Sequence, residues 1–236
     1  MKVAIMQPYF LPYLGYFSLI KQTDRFILID TVQFIKQGWI ERNRIWKPES
    51  EWKYIAVPLT KHHRDTKIKD ITINNTSDWK KATFCQLEPY KKSAAFYKDT
   101  IDVLTNALAL DTDSIVKLNE HVLRVICNYI GINFNSDIFS EMNIEIEKVN
   151  ASDEWALNIC KALGNVKEYW NPPLGAGFYN REKYEKAGID IRFLKINLRE
   201  YPQGRSEFQP GLSIVDAMMF NEPEKINKML DDYELI

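Results

Sequence analysis

Three short stretches carry most of the side chains able to do chemistry. The first, QPYFLPYLGY, holds Gln7, Tyr9, Tyr13, Gly15 and Tyr16. Phenols donate hydrogen bonds or stack on flat rings, Gln7 offers an amide, and Pro8 and Pro12 stiffen the chain at low entropic cost. Gly15 leaves room for a ligand, or another stretch of backbone, to approach closely. The second, DTVQFIKQGWIERNR, holds Asp30, Gln33, Lys36, Trp39, Arg42, Asn43 and Arg44. Guanidinium groups grip phosphate through paired hydrogen bonds, an indole stacks on a base or sugar, and Lys36 adds a mobile charge. Asp30, closing an apolar run, could accept from a hydroxyl, orient a base, bind a metal or cap the next turn. The third, NPPLGAGFY, holds Asn171, Gly175, Gly177 and Tyr179, with glycines that free backbone N–H groups to line a ligand.

A basic cluster, Lys61-His62-His63-Arg64, supplies a candidate general base. Imidazole has an ordinary pKa of about 6.5 and so exchanges protons near neutrality. Adjacent residues on an extended chain point opposite ways, so one of His62 and His63 at most can face a site. His121 falls on an apolar-periodic helix and reads as structural. Ser213 followed by Asp216 has the spacing of a helix capping box, a reading preferred to a nucleophile because no base adjoins the serine.

The surrounding chain supplies elements to place these groups. VAIMQ (3–7) and FILID (26–30) read as strands buried on both faces, with a helix from Gly15 to Gln22 between them. Further strands are expected at 52–59, 67–73, 137–140, 168–172 and 189–196. Helices are expected over 78–110 with a break near Pro89, from Asp111 or Thr112 to Gly131, over 152–163 and 181–187, across LSIVDAMMF, and from Pro223. Alternating strands and helices predict an α/β protein: a mostly parallel, Rossmann-like sheet flanked by helices, with a helix-rich middle. One domain over 1–236 is expected, with 78–131 as a helical insertion. In such sheets ligands bind beyond the C-terminal strand ends, where loops 7–16, 30–46 and 171–180 emerge.

The totals narrow the function classes. A net charge of −1 over 236 residues offers no global field for nucleic acid or an anionic membrane. Three scattered cysteines lack metal-ligand spacing and suit reduced thiols in the cytoplasm, and no metal site is expected. No signal-peptide core precedes the first strand, and no apolar run nears the ~18 residues of a membrane span, so a cytoplasmic protein is expected. The absence of a P-loop, a Rossmann glycine fingerprint, a Gly-x-Ser-x-Gly elbow and zinc spacings leaves ATPase or serine-hydrolase chemistry unsupported.

Two resemblances add to this. Tyr13-Leu14-Gly15-Tyr16 stands where nucleotidylyltransferases carry a His-x-Gly-His turn, though both histidines are tyrosine here. More specifically, MQPYFLPYLGYFSLI, the aspartate of FILIDTVQF, the NR of WIERNRIW, NPPLGAGFY, IRFLKI, the YPQ of REYPQ and FQPGLSIVDAMMFN resemble the WbqC-like family of bacterial proteins. That resemblance spans nearly the whole chain. It implies a place in O-antigen or other surface-polysaccharide biosynthesis, with a nucleotide-linked amino sugar as partner and an activated acyl or aminoacyl group as donor. The expected activity is transfer of that group to the sugar amine. The alternatives are an ATP-using adenylyl or nucleotidyl transferase and a non-catalytic binding protein of a glycan-assembly complex. The cofactor and the oligomeric state stay open.

Overall fold

A computed structural model describes residues 1–48, 50–205 and 207–236. Its strands are β1 (Lys2–Met6), β2 (Arg25–Leu28), β3 (Arg42–Lys47), β4 (Ser50–Ala56), β5 (Ser136–Ile138), β6 (Glu168–Asn171), β7 (Asp190–Ile196) and β8 (Tyr233–Leu235). The helices between them are α1 (Leu14–Gln22), α2 (Trp79–Leu87), α3 (Tyr97–Ala107), α4 (Ile115–Tyr129), α5 (Glu154–Leu163), α6 (Arg181–Lys186), α7 (Ile214–Phe220) and α8 (Pro223–Met229).

Six strands form one sheet in the order β5-β2-β1-β6-β7-β8, parallel except where β8 returns antiparallel against β7. The protein is thus α/β, with a mostly parallel sheet flanked by helices. The apolar runs of β1 and β2 follow from burial on both faces. Ala4, Met6, Phe26 and Leu28 enter one core with α1, α4 and α7, while Val3, Ile5 and Ile27 enter a second with α5 and Tyr184 of α6. Residues of α2, α3 and α4 share the first core, so the helix-rich middle lies against the sheet. Ser114 caps α4 by accepting from Lys117 N, a little beyond the expected start.

Strands β3 and β4 stand apart as an antiparallel hairpin. Asn43, Ile45 and Ile55 face inward, while Arg42, Arg44, Trp52 and Tyr54 are only half-buried. The expected strand at 67–73 is instead a 3-10 turn over Ile68–Asp70, with isolated bridges Gln33↔Lys67, Leu59↔Ile73 and Thr72↔Ser114 on either side. Its buried residues Ile68 and Ile71 are three apart, which suits one face of a tight turn better than strict alternation. The terminal strand β8, which fills the edge beside β7, was not expected.

Candidate functional site

The order of the sheet reverses between β1 and β6, and the crevice beyond their C-terminal ends is where such sheets place ligands. Gln7 leaves β1 there, and its carbonyl accepts from the Tyr16 hydroxyl at 2.8 Å. Tyr16 is therefore a buried prop beneath the loop, packed against Tyr9 and Phe26. Leu11 holds a left-handed φ of 44°, costly for leucine. It is kept there by a buried side chain and by its carbonyl, which accepts from Ser213 Oγ at 2.7 Å.

Across the crevice, Asn171 Nδ2 donates to the hydroxyls of Tyr169 at 2.6 Å and Tyr179 at 3.2 Å, which lie 2.9 Å apart. Gly175 makes room for this cluster, because a Cβ there would sit 2.5 Å from Asn171 Oδ1. Burial raises the pKa of Tyr9, and the neighbouring phenols Tyr13 and Tyr179 raise it further. Burial likewise raises Tyr13 and Tyr179, and lifts Tyr16 and Tyr169 well above the ordinary range. The phenols of these loops are thus neutral near neutral pH, and the Asn171 amide is spent on Tyr169 and Tyr179.

The second loop lies against the first. Phe10 N donates to Trp39 O at 2.8 Å, and Asn43 Nδ2 donates to Phe10 O at 3.1 Å while its Oδ1 accepts from Arg44 N. Asn43 is buried and its amide is spent as a strut. The start of α7 closes the other side, through Ser213 N to Arg44 O and Ile214 N to Pro12 O, both 2.8 Å. Ser213 caps α7, accepting from Val215 N. Asp30 is 1% exposed, and its two oxygens accept from Ser140 N at 3.0 Å and Ser140 Oγ at 2.6 Å. This ties the end of β2 to the turn after β5.

The loops at 33–41 and 59–64 enclose a cleft of about 730 Å³. Lys36, Lys61, Arg64 and His62 line it, with Gln33, the apolar Phe34 and one carboxylate, Glu41, which accepts from Gln37 N. None of the three cations has a carboxylate partner among the described residues. Gln33 Nε2 donates to Arg64 O at 2.9 Å, bridging the two loops. The His62 ring meets the edge of Phe34, and its Nδ1 lies 2.9 Å from Thr60 O. A carbonyl only accepts, so Nδ1 carries the proton and the lone pair of the neutral ring sits on Nε2. His63 is exposed and does not line the cleft.

The residues singled out in sequence therefore separate into groups. Gln7, Tyr9, Tyr13, Asn171, Gly175 and Tyr179 belong to the strand-end loops around the crevice. Gln33, Lys36 and His62 line the cleft. Trp39, Arg42 and Arg44 lie with the hairpin. Asp30, Asn43 and Tyr16 bond within the protein, and the room at Gly15 is filled by the ring of Tyr13. Asp216, read in sequence as the second half of a capping box with Ser213, instead accepts through its buried carboxylate from Tyr90, Tyr201 and Gln203, while Ser213 N donates to Arg44 O.

The chain matches the WbqC-like protein family over residues 7–228. It is 30% identical over 223 residues to an uncharacterized protein of Mycobacterium tuberculosis, covering 93% of each chain. No solved structure matches it.

Proposed function

Because the chain belongs to the WbqC-like protein family, we propose that it is an enzyme of bacterial surface-polysaccharide biosynthesis that transfers an acyl or aminoacyl group to the amine of a nucleotide-linked amino sugar. The observation carrying this reading is the cleft. It joins three cations that lack carboxylate partners among the described residues to a histidine whose Nε2 is free to take a proton.

A sugar ammonium is not a nucleophile until it loses a proton. His62 Nε2 accepts that proton as the amine attacks the acyl carbonyl. The new C–N bond forms while the bond to the leaving group breaks, and the imidazolium returns a proton to the departing group. The Thr60 carbonyl holds the ring in the required tautomer. Lys36, Lys61 and Arg64 supply positive charge for the diphosphate. No helix is long and apolar enough to cross a membrane among the described residues, which suits a water-borne substrate.

Calorimetry across a panel of nucleotide-linked amino sugars tests the reading. At least one should bind, and the Lys61→Gln/Arg64→Gln double variant should weaken it at least about tenfold, as expected for lost charged hydrogen bonds. His62→Gln should retain binding while losing transfer. Absence of binding by every sugar nucleotide, or full transfer by His62→Gln, overturns it.

A further inference from the structure

The outer face of the β3–β4 hairpin alternates cations with rings. Cross-strand pairing sets Arg44 opposite Tyr54 and Arg42 opposite Ala56, with Trp52 two residues from Tyr54 on the same face. The Arg42 guanidinium lies 3.9 Å from the centre of the Tyr54 ring. That of Arg44 lies 5.4 Å from Trp52 and 5.5 Å from Trp39, and Trp52 meets Tyr54 at 4.9 Å.

A guanidinium laid on a ring keeps its in-plane N–H groups for an anion. Few of these are engaged here. Arg44 Nη2 donates to Gly211 O at 3.0 Å, but Arg44 Nε is buried with no partner and the Arg42 side chain makes no hydrogen bond among the described residues. Neither arginine has a carboxylate within 4.0 Å among those residues. The half-buried guanidinium groups therefore keep N–H donors for an anion that comes from outside. Trp39 is 39% exposed, so part of its indole remains open to a second planar group.

We propose that this face binds a nucleotide, its base stacked on Trp39 and its phosphate held by Arg42 and Arg44. Two residues apart on one strand, the arginines have Cα atoms about 7 Å from each other, a span that a phosphate or diphosphate bridges. The ladder is too short a basic track for nucleic acid, in keeping with the net charge of −1. A group transfer between two substrates needs two holding places, and the cleft is one of them. With the diphosphate of the sugar nucleotide taken by the cleft, the nucleotide here is that of an acyl donor such as an acyl adenylate or a coenzyme A thioester. Only this choice of source rests on the function proposed above.

Calorimetry on the full chain with ADP, UDP, coenzyme A and ribose 5-phosphate tests the site. At least one nucleotide should bind, with ribose 5-phosphate at least about tenfold weaker for want of stacking. Trp39→Leu and Arg42→Gln should each weaken the nucleotide at least about tenfold, and Arg42→Lys, which keeps charge but loses the fork, should not restore it fully. Circular dichroism shows whether each variant is folded. Coenzyme A binding alongside a saturating sugar nucleotide supports the assignment to the donor, and competition between the two overturns that assignment. The proposal is overturned if no nucleotide surpasses ribose 5-phosphate, if folded Arg42→Gln and Trp39→Leu bind as the wild type does, or if single-stranded oligonucleotides bind more tightly with length. Failure of the cleft reading looks different: transfer then survives Lys61→Gln/Arg64→Gln while the hairpin results stand.

Discussion

The ring of Tyr13 crosses the first turn of α1 directly over Gly15, so that a Cβ at position 15 would lie 2.4 Å from Tyr13 Cζ. The glycine thus serves a side chain of its own loop. Helix α1 has no side-chain cap, and the phenol lies beside its free N–H groups, so an anion approaching that end would meet the ring of Tyr13 first. Gly15→Ala should cost about 1–3 kcal/mol by overpacking, more than the 0.5–1 kcal/mol or so that alanine gains over glycine inside a helix. In a Tyr13→Ala background the same change should become neutral or stabilising. Urea denaturation of the four proteins measures the coupling, and additive effects would refute the contact.

Asp30→Asn places an amide where a carboxylate accepts two hydrogen bonds from Ser140. One amide oxygen cannot serve both donors with the original geometry, so the variant should lose about 1–3 kcal/mol of stability. Binding of a sugar nucleotide to the folded fraction should be unchanged. A variant of wild-type stability that no longer transfers would move Asp30 into the chemistry.

The sheet was legible because β1 and β2 are short apolar runs around a clear helix, the pattern of doubly covered parallel strands, and because β6 and β7 flank a short helix in the same strand-helix-strand order. The hairpin strand β3 was not, because RNRIWK buries only Asn43 and Ile45, and its basic and aromatic residues read as loop chemistry. Residues 67–73 misled in the opposite direction. KIKDITI alternates well enough to suggest a strand, yet isolated bridges at both ends fix it as a turn. At the site, residue type marked out Arg42, Arg44, Trp39 and His62 but could not say where their polar atoms point. The ring of Tyr13 over Gly15 and the turn of Asp30 toward Ser140 depend on contacts made only once the chain is folded.

The cysteines should separate by burial. The Cys160 thiol is pushed up to about 12 by burial and that of Cys127 higher still, whereas Cys85 is exposed. A buried thiol that stays protonated is neither accessible nor nucleophilic. Iodoacetamide at pH 8 should therefore label Cys85 alone in the native protein and all three after denaturation. Rapid native labelling of Cys127 or Cys160, read by peptide mass spectrometry, would contradict this packing.

Asp216 gives stability a pH dependence of defined sign. It is fully buried and accepts from Tyr90 at 2.8 Å, and from Tyr201 and Gln203 at 2.7 Å each. Burial raises its pKa above the ordinary 3.8, and the three hydrogen bonds only partly offset the rise. The folded state then holds the proton to higher pH than the unfolded chain does. Across the window between the two pKa values the folded state binds more protons, so stability falls as pH rises through it and levels off above the folded value. Asp216→Asn cannot ionise and should lose this component. Glu154 and Asp232 have depressed values and act in the opposite sense, but they are common to both proteins and cancel in the difference. Wild-type stability minus variant stability, from urea unfolding between pH 4 and 8 or so, should therefore decline with rising pH. Parallel profiles would show that Asp216 ionises as readily in the folded protein as in the unfolded chain. Because Tyr90 also accepts from Trp46 N at 2.8 Å, the same substitution should loosen the hairpin and increase amide exchange across β3.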